Sequence, residues 1–314
     1  MLIATCCQGA NRLSLNSFDT GEQIGTVPTG GHPVHLTVAE DNVFVATMDE
    51  RTVTVVDTDG AVSTIPTGVL GPSHFVTAAG TLFVACTGGD VVAAIDPTAL
   101  ERIGRTSVGR EPHELAVADG RVFAGSRRDG TVSVIDPNEI TTERSIPVGP
   151  DAYVEDVEAA PDGECVYAID EANGRVASLT RTDLLATADL DAELTGIDVT
   201  DDRVFVLEET RGVVHELDRD LERITEHDVG REPIAATTVA GAHWIGHRDD
   251  QTIQTLSGTV LELPYPVRAL TSVGTSRILV SHYYDDSITM IDAERRTVDW
   301  TAETEANPLG VAVI

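Results

Sequence analysis

Four residues in this chain have the types and the spacing from which chemistry can be built: His35, His74, Glu114 and Asp156, about forty residues apart. Two imidazoles and two carboxylates form a donor set for a divalent first-row ion such as Zn, Mn or Fe, with a position left for water or substrate. An ion held there would polarise a carbonyl or activate water. His32 and His113 stand beside two of the four. A second group offers acid, base and anion-binding functions: His247 and His282 as imidazoles, Tyr283 and Tyr284 as phenols, and Arg268 as a guanidinium for an anionic substrate group.

No local motif of the HxxxH kind forces these residues together, so repeated elements must do it. A strand-like segment recurs at 43–47 (VFVAT), 82–86 (LFVAC), 122–126 (VFAGS), 166–170 (VYAID), 204–208 (VFVLE), 243–247 (HWIGH) and 278–282 (ILVSH). After a turn, a second strand follows each, as in TVTVVD (52–57), VVAAID (91–96) and TVSVID (131–136). A third piece runs into VPTG (27–30), IPTG (65–68) or PVG (147–149), and a fresh, often proline-led strand opens, as in PVHLTV (33–38) and PHELAV (112–117). Four strands in the order a, b, c, d, with no amphipathic helix, predict an all-β propeller of four-stranded blades, a single domain over residues 1–314.

The chain ends decide the count. The chain opens on a b strand and lacks its own a strand, while residues 307–314 (NPLGVAVI) match the other a strands. The C-terminal strand is therefore expected to pair with residues 2–5, closing a ring of eight blades and covering an open edge, with seven as the alternative count. The units resemble YVTN-type β-propeller repeats, which residues 131–136 and 146–149 match almost letter for letter. That resemblance implies the fold; it spans binding scaffolds, lactonases and lyases, so it leaves the activity open.

In such a fold the a strands line the channel. The start of a and the end of b then share one rim. Counting two residues past each opening proline gives a ring of His35, His74, Glu114, Asp156, Gly196, Ala235, Arg268 and Gly310. The ends of b give Thr47, Cys86, Ser126, Asp170, Glu208, His247, His282 and Thr5. The plainer reading is that a water-filled channel in an acidic chain is polar in any case. His215, His227 and His243 read as packing or surface residues. Asp57, Asp96, Asp136 and Asp292 read as turn caps.

Composition narrows the partners. There are 52 acidic residues against 21 basic ones, all arginine, for a formal charge of -31. Such a chain repels phosphate backbones and anionic lipid, so neither nucleic acid nor membrane is expected as a partner. The absence of lysine resembles the proteins of salt-in halophilic archaea, in which molar salt screens the self-repulsion. The start, residues 1–7, does not read as a signal peptide, so a cytoplasmic, monomeric protein with free cysteines is expected. Two functions stay open: a scaffold binding a small molecule or a partner protein on its rim or channel, or a metal-dependent lyase or lactonase-like hydrolase. A haem or quinone propeller ranks behind both, for want of a CxxCH motif.

Overall fold

The repeat dictates the architecture. A computed structural model describes residues 1–248 and 250–314. It has eight four-stranded antiparallel sheets, each in the order a-b-c-d, arranged as a propeller. Blade 2 shows the unit: a strands Pro33–Ala39, b Asn42–Thr47, c Thr52–Val56 and d Val62–Pro66. The a strands of successive blades touch one another around the channel. Among the described residues there are two short 3-10 turns, at Thr87–Gly89 and Glu171–Asn173, and no helix long and apolar enough to cross a membrane.

The middle of each b strand supplies the main wedge between sheets. Phe44, Phe83, Phe123, Tyr167, Phe205 and Trp244 occupy equivalent positions three residues before the strand end, and all are buried. Large rings at this repeated place fill the widening gap between neighbouring blades and carry much of the hydrophobic stabilisation.

The ring closes as expected. The C-terminal strand Pro308–Val313 lies against Leu2–Cys7, pairing Ile3 with Val313, Ala4 with Ala312 and Thr5 with Val311. Leu2 and Ile314 exchange two backbone hydrogen bonds of 2.8 Å. Blade 1 is tied to blade 8 by the Asn16 amide, which donates to the Glu303 carbonyl at 3.0 Å, and by the Trp300 indole, which donates to the Phe18 carbonyl at 3.2 Å.

Polar side chains hold the turns. Asp57, Asp96 and Asp136 each accept two backbone N–H bonds from the turn that follows, and Asp292 accepts one. These are the caps that the sequence predicts. A second device links blades at the start of a: Asn11, Asp90 and Asp286 accept the N–H of His32, Glu111 and Asn307 in the next blade at 2.9–3.0 Å. Each of those three donors precedes the a-strand proline with φ between 53° and 59°, a left-handed corner that the hydrogen bond fixes.

Candidate functional site

The a strands begin with a bulge, and that irregularity builds the site. Register shifts fall between Pro33 and His35, Pro72 and Phe75, Pro112 and Leu115, and Val154 and Asp156. A bulge sets two residues opposite one, so neighbouring side chains can both turn toward the channel mouth. His35, His74, His113, Arg127, Glu155 and Arg268 accordingly line one cavity of about 410 Å³ there.

At its wall, His74 and His113, together with Glu114 beside them, offer ligand atoms that lie within 4.8 Å of one another. His74 Nε2 is 3.4 Å from Glu114 Oε2. The His74 ring packs on His35 at 5.0 Å and edge-on to His113 at 4.4 Å, making a run of three imidazoles over blades 2 to 4. His113 Nδ1 lies 3.1 Å from the Glu155 carbonyl, which orients its ring. The Nδ1 atoms of His35 and His74 are buried and have no hydrogen-bond partner. His35 and Asp156 flank the trio, on blades 2 and 5, so the structure gathers His74 and Glu114 from the expected set and adds His113.

Electrostatics suits metal ligands. Burial, with His113 alongside, lowers His35 to about 4. Burial and the neighbouring imidazoles push His74 well below the usual histidine value. Burial and Arg127 lower His113. All three imidazoles are therefore neutral at pH 7, with lone pairs free to coordinate. Burial, reinforced by Asp156, holds Glu114 well above the ordinary carboxylate range, and burial with Glu155 lifts Asp156 to about 6. Below Asp156 in the channel, burial and Asp198 raise Glu158 to about 9. Glu114 and Asp156 belong to the ring that the sequence predicts, and Glu158 lies two places further along the same strand as Asp156, on the same side.

Two register differences emerge. Ala269 pairs with Ser281 as His35 pairs with Ala46, so Ala269 occupies the ring position that counting from Pro266 assigns to Arg268. Arg268 instead shares its register with His113 and Glu155, one residue nearer the mouth. In blade 1, Cys7 rather than Thr5 ends the b strand, since it faces Pro308.

The residues at the ends of b are buried. Cys7, Thr47, Cys86, Ser126, Asp170, Glu208, His247 and His282 are all 2% exposed or less. Three of them clamp the chain entering the same blade: Asp170 accepts the Tyr153 N–H at 2.9 Å, His247 Nδ1 lies 3.2 Å from the Arg231 carbonyl and His282 Nδ1 2.9 Å from that of Pro266. His282 Nε2 also meets Thr289 Oγ1 at 2.8 Å. The two imidazoles read as acid or base in the sequence thus lie inside their blades, apart from the cavity. His215 is likewise buried, 2.9 Å from Glu208.

Solved structures share this fold. The dihydro-heme d1 dehydrogenase NirN superposes over 99% of this chain and 74% of its own, with TM-score 0.78 and 15% identity. AztD from Citrobacter koseri matches over 99% and 96%, with TM-score 0.68 and 13% identity. Virginiamycin B lyase from Staphylococcus aureus matches over 80% and 91%, with TM-score 0.63 and 14% identity. At such identities the likeness is one of fold. No protein-family profile matches the chain, and no curated protein sequence matches it.

Proposed function

We propose that this propeller is a binding protein whose channel mouth holds a divalent transition ion, Zn or Mn, on His74, His113 and Glu114, with His35 in reserve beside them. The observation that carries this reading is the meeting of three donor atoms from two blades within 4.8 Å. The buried, unpartnered Nδ1 atoms of His35 and His74 support it, because an imidazole nitrogen in such a place goes unsatisfied without a ligand. Two nitrogens and one oxygen suit either ion and leave room for a further ligand.

A binding role is favoured over lyase or hydrolase chemistry because His247 and His282 face the blade interior. Equilibrium dialysis against Zn2+ or Mn2+ in about 1 M salt tests the reading. It predicts one ion per chain, with affinity reduced roughly tenfold or more by His74→Ala or His113→Ala, and unchanged by His227→Ala. The reading fails if no ion is retained in stoichiometric amount, or if the two site variants bind as the parent does.

A further inference from the structure

We propose that the ligand of this mouth is a metal chelate bearing a carboxylate, and that Arg268 takes the carboxylate from the wall opposite the imidazoles. This rests on the metal reading above and extends it to the class of molecule bound.

The ring beneath the mouth is lopsided. Blades 2 to 5 fill it with His35, His74, Glu114 and Asp156, whereas blades 6, 7, 8 and 1 present Gly196, Ala235, Ala269 and Gly310. Donors crowd one half and the other half lacks side-chain bulk. Arg268 stands over that second half and lines the same cavity as His35 and His74, whose volume of about 410 Å³ suits a small organic molecule.

Arg268 is also unusual in its company. Among the described residues Arg51, Arg105, Arg231 and Arg268 make no side-chain hydrogen bond or ion pair, and of these four only Arg268 lines the cavity. Arg127, on the other wall, is gripped by both Glu155 oxygens and is thereby neutralised. Loss of water and the nearby Arg248 both disfavour the charge on Arg268, and the other ionisable groups acting on it are the phenols of Tyr284 and Tyr283. Exposed at the cavity and without a protein acceptor, this guanidinium is open to an external planar one, which a carboxylate meets through two parallel hydrogen bonds. The field of a -31 chain repels a free anion. An anion already joined to a divalent cation enters with that repulsion largely cancelled.

Equilibrium dialysis of the full chain in molar salt, with radiolabelled citrate as probe, tests this. Citrate should be retained only when Zn2+ is present. Arg268→Gln should lower that retention roughly tenfold while binding Zn2+ alone as the parent does; Arg268→Lys, which keeps the charge without the fork, should fall between. Citrate that strips Zn2+ from the protein without itself binding overturns the proposal, as does equal retention by Arg268→Gln. Zn2+-dependent retention of labelled phosphate in place of citrate overturns the carboxylate assignment. Failure of Zn2+ alone to bind refutes the metal site itself, so the two claims fail separately.

Discussion

Glu208 Oε2 lies 2.9 Å from His215 Nε2, and both residues are at most 2% exposed. Glu226 approaches the other imidazole nitrogen at 3.4 Å, and Arg211 bonds to both carboxylates. This network sits inside blade 6, where the equivalent pairing in blade 8 is His282 with Thr289. Without His215, Glu208 keeps only the exposed Arg211 and so loses part of the contact that offsets its removal from water. His215→Ala should therefore destabilise the protein by about 2 kcal/mol, and adding Glu208→Gln should recover part of that. Denaturant midpoints at constant salt measure both; a His215→Ala midpoint equal to the parent's refutes the argument.

Glu158 makes stability depend on pH in a calculable direction. Its carboxyl is raised from 4.5 to about 9 in the fold, so the folded state holds the proton more tightly than the unfolded chain does. The resulting stabilisation is complete below pH 4.5 and is lost as pH rises through 9. Glu158→Gln should melt increasingly above the parent as pH goes from 6.5 to 9. That window avoids His35, whose contribution runs the other way: present above 6.5 and lost as pH falls through about 4. A melting difference independent of pH would contradict the burial of this group.

Metal uptake should release a proton. Burial and Asp156 oppose the charge on Glu114 and raise its carboxyl well above the ordinary range, whereas an ion needs it as carboxylate. His74 and His113 are already neutral and give up none. Calorimetric enthalpies in buffers of different ionisation heat should report a net release of protons on Zn2+ binding, and affinity should climb with pH. Glu114→Gln should abolish the release. A parent protein that binds Zn2+ with no proton exchanged does not use Glu114.

Salt should stabilise the fold. Charge repulsion in a chain of net -31 is felt across about 10 Å at 0.1 M salt and about 3 Å at 1 M. The ion pairs that salt also weakens are mostly at the surface and contribute little each. The melting temperature is expected to rise steadily with KCl over this range; a flat or falling curve rules out self-repulsion as the dominant long-range term.

Much of the architecture was readable in the residues. The aromatic or branched position of each b strand, the aspartates that end c strands and the strand at 307–314 all reflect local rules that repeat, and repetition makes them visible. The site was harder. Counting from a proline misplaces Arg268 because the residue two places before the ring position is Val267 rather than Pro264 or Pro266, and only the pairing of Ala269 with Ser281 shows this. His113 joins the trio through a bulge, a backbone irregularity that strand alternation does not anticipate. His247 and His282 share the rim of the expected site along the strand axis, yet their side chains turn between sheets, a rotation that sequence position alone leaves undetermined.

The seam in blade 1 sets how this molecule would yield to force. Leu2 and Ile314 are neighbours at one end of the same strand pair, so pulling them apart loads a single rung at a time and peels the ring open like a zipper. The same adjacency means that a short peptide joining the two ends would turn the chain into a covalent circle. New ends could then be cut into any of the other loops between blades without losing a strand.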